Sequence, residues 1–336
     1  MPVSRDLGTN SKKALDRADK LVDFTTSELA KAYKSAMDDI RARLAKLYEG
    51  FTTSEPTKAQ LTQLMRQSGI LDQLSSLMAP YLDNNEELIK TMSFQAFDDG
   101  FFNNAWSVDQ AIGVNQSWSQ FDDTAVRAAA GIGGDIGGLT AVISAKEAKK
   151  HFNVLEKAFV NYDKDSQKKI RQAVRQSIIQ GESIPNATKR IQQALDISYS
   201  SAERIARTEI LRSTGLGGQA AYDQARGNGV EIIETWDATL DSRTRASHAA
   251  ADGTQKDNVT GLYDLFGGVP GPRRTGDASE DINCRCVSVG EVSGLSPELR
   301  ALKDEGTTPY QSFEQWATSQ GITTNRFGEK YNFKGV

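Results

Sequence analysis

The sequence predicts a mainly α-helical protein: helical N-terminal and central regions, then a small C-terminal α+β module with two or more short strands. Three observations predict it. Apolar residues recur at helical spacing from the N-terminus as far as Arg226. The best strand-like runs, Val230-Glu231-Ile232-Ile233-Glu234-Thr235-Trp236 and Val287-Ser288-Val289-Gly290-Glu291-Val292, come late. Between them lies a stretch rich in turn residues, including Phe266-Gly267-Gly268-Val269-Pro270-Gly271-Pro272.

The first helix is expected from about Lys12 to Tyr48. Leu15, Val22, Leu29 and Ala36 form one set at seven-residue spacing, and Tyr33, Ile40 and Leu47 another. Gly50 and Thr52-Thr53-Ser54-Glu55-Pro56 end it. A second helix carries Leu61, Leu64, Met65, Leu71, Leu74, Leu77 and Met78 and is expected to stop at Pro80. A third runs from about Asn84 to Asp98, with Gly100 breaking it. Phe101, Phe102, Trp106, Trp118 and Phe121 make the richest aromatic patch, read as core first and docking surface second. Gly131, Gly133, Gly134, Gly137 and Gly138 follow. At about 1 kcal/mol per interior glycine they disfavour an isolated helix. A flexible junction is the plainest reading; close packing of small residues and a segment that enters a membrane during delivery are the alternatives, with Asp135 against the last.

Helices resume from about Val142 to Tyr162 and, capped by Asp163 to Ser166, from Gln167 to Gln180. Ser183-Ile184-Pro185-Asn186 opens a short helix, and Ser198 to Arg226 makes a longer one. Gly227-Asn228-Gly229 is a turn signal. The two strand-like runs are expected to pair antiparallel. The tail from Ser296 reads as two short helices and an aromatic, polar end from Phe327 to Phe333. The chain thus divides into a helical N-terminal region (1–120), a Gly-rich joint (121–145), a helical stretch (146–229), a small α+β part (230–292) and a C-terminal docking arm (293–336).

The 336 residues have room for two or three domains with proper cores. An apolar fraction of 38% with 25% charged residues suits a soluble, elongated or assembly-dependent protein better than a compact enzyme around a large sheet. No run approaches the roughly 20 apolar residues of a membrane span. The start, Met1-Pro2-Val3-Ser4-Arg5-Asp6, lacks a secretory signal's apolar region, so cytoplasmic synthesis is expected. The net charge of −4 excludes a generally basic coat for nucleic acid. Between Lys146 and Arg212, however, 14 Lys and Arg face 8 Asp and Glu. Lys168, Lys169, Arg171, Arg175, Lys189 and Arg190 are therefore candidates for phosphate contact, against the plain reading of a solvated helix face.

The chemistry-bearing residues concentrate between Trp236 and Cys286. The stretch contains Asp241-x-Arg243-x-Arg245-x-x-His248, then Asp252-Gly253 and Pro270, and closes with Asn283-Cys284-Arg285-Cys286. Both cysteines and one of the 2 histidines lie there. Together with Ala206-Arg207-Thr208-Glu209 on the preceding helix, this ordered set resembles the phage Mu protein F-like head morphogenesis family, over about residues 165 to 292. The resemblance implies a minor head protein of a tailed bacteriophage, made in the host cytoplasm and carried in the virion, inside the head or at the portal vertex. Its implied partners are the portal and other head proteins, with packaged double-stranded DNA as a further contact and a membrane only during ejection. It makes Arg207, Glu209, Trp236, Asp241, Arg243, Arg245, His248, Asn283 and Arg285 the structural signature.

The residues allow three kinds of chemistry. Cys284 and Cys286 fall on the same side of an extended chain. With His248 as a third ligand and Asp241 or water as a fourth, they could hold a structural zinc ion that clips a long loop. The plain alternative is buried free thiols beside a satisfied histidine, in a polar network with Arg243, Arg245 and Asp241. A metal- or thiol-dependent enzyme carried with the DNA is the third reading. It needs an orienting group and a pocket that the sequence does not display, so no catalytic residue is assigned. A disulfide between residues one apart would be strained.

Overall fold

The structure is a computed structural model describing residues 4–49, 69–113, 145–180, 184–240 and 242–293, with positions 57, 59, 60, 63, 116, 118 and 182. The expected glycine-rich joint up to residue 144, the start of the second expected helix, Phe121, Asp241 and the C-terminal arm lie outside the described residues.

Among the described residues four long helices come first: α1 (Ser4–Glu49), α2 (Ile70–Ile112), α3 (Ala145–Gln180) and α4 (Ile184–Gly227). The small module follows: β1 (Ile232–Asp237), α5 (Ala246–Ala251), β2 (Lys256–Asp257), β3 (Leu262–Tyr263), α6 (Ala278–Asp281) and β4 (Val287–Val292). The fold is mainly α with a small C-terminal α+β module, as the sequence predicts. Among the described residues no helix is long and apolar enough to cross a membrane.

Three pairs of expected helices are single helices. α2 runs through Pro80, although an interior proline costs about 3 kcal/mol. Leu74, Met78, Leu82 and Ile89 share one buried face across it, and that burial outweighs the lost hydrogen bond. α2 also runs through Gly100, because the glycine serves a close helix approach: a Cβ there would overlap the backbone carbonyl of Thr214 on α4. In α3, Asp163 does not cap a new helix; it accepts a bond from Gln167 Nε2 one turn on, at 3.2 Å. In α4, Ser198 and Ser201 return their hydroxyls to the carbonyls of Ala194 and Ile197, both at 3.0 Å, and the helix continues past them.

The chain forms two compact units. One comprises Asp23–Lys90 and Val154–Ala206. Its buried faces carry Leu29, Ala36 and Ile40 from α1, Leu74 and Met78 from α2, Ile170 and Val174 from α3, and Ile191 and Leu195 from α4. The α1 residues belong to the two heptad-spaced sets. Tyr33 meets Tyr199 edge-on at 5.6 Å, and Tyr81 donates to Asp39 at 2.5 Å.

The other unit comprises Met1–Val22, Thr91–Asn153 and Arg207–Val336. The aromatic patch is core here: Phe101, Trp106 and Trp118 are buried with Tyr222, Ile232 and Val292. Trp118 donates its indole N–H to Asp109 at 2.8 Å. Tyr222 ties three elements together, donating to Asn104 of α2 at 2.7 Å and accepting from the Gly290 amide of β4 at 3.1 Å. β1 and β4 pair antiparallel, with Ile232 opposite Val292 and Asp237 opposite Val287. β2 and β3 form a second, two-residue hairpin pair.

Candidate functional site

The alternation of β1 puts Ile232, Glu234 and Trp236 on its buried face. Trp236 is the centre of a small core with Ala238, Ala251, Tyr263, Val269, Cys284 and Cys286. Its backbone anchors the Asp252-Gly253 turn, donating to the Thr254 carbonyl and accepting from the Gly253 amide, both at 2.8 Å. Gly253 has φ +78°, and Asp252 caps the turn by accepting from the Ala238 amide at 2.8 Å. This is the local reason for Asp-Gly at that place.

His248 sits on the short helix α5, buried, with its ring edge-on to Trp236 at 6.1 Å and to Phe266 at 5.7 Å. Its Nδ1 lies 3.2 Å from Cys286 Sγ and 3.5 Å from Cys284 Sγ. Its Nε2 lies 2.8 Å from Glu280 Oε2. The expected trio is thus brought together, with all three ligand atoms within 4.8 Å of one another. Both cysteines are free and buried. Their thiols share a hydrogen bond that pulls Cys284 down in pKa and pushes Cys286 up.

Behind the cysteines stands a buried ionic network that connects them to α4. Arg273 donates from Nη1 to the carbonyls of Cys284 and Cys286, at 3.0 and 2.8 Å. The carbonyl of Arg273 accepts from Arg212 Nε at 2.7 Å. Arg212 also pairs with Glu209 and reaches Asp281 at 3.6 Å. Burial pushes the Glu209 carboxyl above the ordinary range, against the pull of Arg212. Asp281 in turn holds Thr275 by its amide and hydroxyl, each at 2.9 Å. Asn283 takes φ +57°, a conformation that asparagine tolerates better than most residues, and its amide lies 3.5 Å from the Thr208 hydroxyl. Thr208-Glu209 and Asn283-Cys284-Arg285-Cys286, 75 residues apart, therefore belong to one assembly.

The remaining signature residues lie around it. Arg245 precedes α5 and donates to the Ile282 carbonyl at 2.6 Å. Arg243 is exposed, while Arg207 and Arg285 are half-buried. Thr239, Arg243, Thr244, Arg245, Asn283 and Arg285 line a small cavity beside His248 and the cysteines. Asp241 lies outside the described residues, so its expected place as fourth ligand has no geometry here.

Four charged residues outside the expected signature are central. Glu280 follows Asp277 at capping-box spacing, and Asp277 does accept from the Ser279 amide at 2.8 Å, but Glu280 turns to His248. Arg273 carries no signal beyond its charge, whereas Arg212, three positions after Glu209, shares its helix face, and the two do pair. Glu234, fully buried on β1, accepts from Arg226 at 2.8 Å, Ser288 at 2.7 Å and Lys256 at 3.2 Å. A charged residue on the inward phase of a strand was the available clue.

The basic candidates for phosphate contact fall outside this assembly. Lys168, Lys169, Arg171 and Arg175 are exposed on α3, and Lys189 is exposed on α4. Arg171 meets Asp72 at 3.3 Å. Arg190 is held by Glu182 and, at 2.9 Å, by Gln180.

With this geometry in view, the comparisons with known proteins are direct. The family model described as phage Mu protein F like protein matches residues 168–289, which run from α3 through both halves of the buried network. Residues 168–289 are similar to that family. The chain is 25% identical to minor head protein GP7 of Bacillus phage SPP1 over 319 residues, covering 91% of this chain and 96% of the relative. It is 27% identical over 313 residues to a protein of Enterococcus faecalis named NAD(+)--arginine ADP-ribosyltransferase EFV, covering 92% of this chain. The chain spans only 60% of that relative's length. No solved structure matches it. The phage Mu protein F-like segment ends three residues after Cys286, so the cysteines close the shared segment as well as the local fold.

Proposed function

We propose that the chain is a minor head protein that acts in head morphogenesis, set near the portal vertex and in contact with the portal and other head proteins. The observation that carries this reading is the colinear similarity to a phage minor head protein over 91% of this chain and 96% of that one. The site's chemistry agrees with it. His248, Cys284, Cys286, Glu209 and Arg212 are buried in mutual contacts, which is the arrangement of a clasp that holds a module shut.

Contact with packaged double-stranded DNA belongs to the same proposal. Lys168, Arg171 and Arg175 recur at helical spacing on α3, and Lys169 and Lys189 add exposed charge nearby. Such contacts are sequence-tolerant and weaken steeply with salt. Departure with the genome at ejection completes the reading. The test is the content of purified particles. The chain is expected in DNA-filled heads and, if ejected, missing from emptied ones. Its absence from filled heads would overturn the proposal; its retention after DNA release would remove ejection alone.

The second reading is a virion-borne enzyme or effector, and the similarity to the enterococcal relative is the observation that favours it. It predicts transfer of ADP-ribose from NAD+ to arginine by the purified chain. The head-protein reading predicts none.

A further inference from the structure

We propose that His248, Cys284 and Cys286 bind a zinc ion, with Glu280 holding the histidine ring from behind and a water molecule completing the coordination. The inference is independent of the role in the head. It starts from the convergence of three donor atoms in a buried place. His248 has one ring nitrogen, Nδ1, for two buried sulfur atoms, at 3.2 and 3.5 Å. A cation between the three atoms satisfies all of them at once.

The distances fit. Zinc sits about 2.3 Å from sulfur and about 2.0–2.1 Å from imidazole nitrogen, so a tetrahedral site holds its nitrogen and sulfur donors about 3.6 Å apart. The observed separations are close to that edge, and all three donor atoms lie within 4.8 Å of one another.

The surroundings fit as well. Glu280 Oε2 lies 2.8 Å from Nε2. When Nε2–H donates to that carboxylate, the bare Nδ1 faces the sulfur atoms. A carboxylate behind a ligating histidine recurs in zinc sites and orients the ring. Trp236 and Phe266 pack edge-on against the ring. Arg273 fixes the carbonyls of both cysteines and keeps the two side chains converging. Both cysteines bind as thiolates, and whatever protons their sulfur atoms carry pass to solvent as the two zinc–sulfur bonds form. Two thiolates neutralise the ion, so no net charge is left in the buried site. The cavity lined by Thr239, Thr244 and Asn283 also reaches His248 and both cysteines, which gives the water ligand a place beside them. The ion ties α5 to the segment before β4 across a separation of 36 residues, in a module whose sheets have two strands each.

The experiment uses the full chain, purified without chelator and analysed for metals, then stripped and titrated with Co2+ as a spectroscopic probe. The expected result is one zinc per chain and a near-ultraviolet sulfur-to-cobalt charge-transfer band that Zn2+ abolishes. Cys284→Ser and Cys286→Ser should each weaken that band and lose the zinc. Glu280→Gln keeps every ligand and should lower zinc affinity about 10–100-fold in competition with a chelating dye. It keeps the proposal falsifiable if the cysteine variants do not fold. A wild-type chain with no zinc and no charge-transfer band would overturn the site. Zinc retained by the double cysteine variant would overturn its location, and unchanged affinity in Glu280→Gln would overturn the role of the carboxylate.

Discussion

Arg273 donates to the carbonyl oxygen of Cys286 at 2.8 Å from a side chain with only 2% of its surface exposed. The same nitrogen serves Cys284, and the Arg273 carbonyl accepts from Arg212. One arginine thus joins the cysteine segment to α4. Arg273→Met keeps much of the volume and leaves both carbonyls unpaired. It should lower the stability of the unit by about 3 kcal/mol, read as the urea midpoint of the full chain.

Arg212 and Glu209 should respond unequally. Arg212→Met leaves Glu209 and Asp281 without their cation in a buried site and should cost about 3–5 kcal/mol. Glu209→Gln retains an acceptor for Arg212 and removes a charge that burial already disfavours, so about 1 kcal/mol is expected. Equal losses in the two variants would contradict this division of roles.

The pH dependence should run through Glu234. Burial raises its pKa, but Lys256, Arg226 and the Ser288 hydroxyl outweigh burial and hold it below its ordinary value of 4.5. A carboxyl depressed on folding contributes stability above its unfolded value and loses it as pH falls through the folded one. The unit should therefore weaken as pH drops below about 4.5. Glu234→Gln should flatten that dependence and, by leaving Lys256 and Arg226 without their carboxylate, cost about 3 kcal/mol at neutral pH.

Gly217→Ala tests the close approach of α2 and α4. An added Cβ would overlap the Phe97 carbonyl, and both partners are backbone, so neither can rotate away. A loss of about 2–3 kcal/mol is expected, although alanine is the better helix former.

Much of this was legible in the sequence, and what was not has identifiable causes. The heptad-spaced sets with Leu29, Ala36 and Ile40 are buried, and the two strand-like runs do pair antiparallel. The trio of His248, Cys284 and Cys286 could be assembled from chain order and strand alternation. Helix ends were less legible, because Pro80 and Gly100 break isolated helices and yield to packing here. Least legible were Glu280, Arg273 and Glu234. Their roles come from partners that are 22 to 61 positions away in most cases, and no local pattern announces such a partner.

The central claim is that the signature residues build a head-assembly module and not a catalytic centre. The most direct measurement is particle yield from a phage deprived of this chain and supplied with wild-type or Arg273→Met protein. We expect wild-type protein to restore DNA-filled particles and Arg273→Met to lower their yield in parallel with its lost stability. Full particle yield from a destabilised Arg273→Met chain, or from the deprived phage itself, would contradict the account.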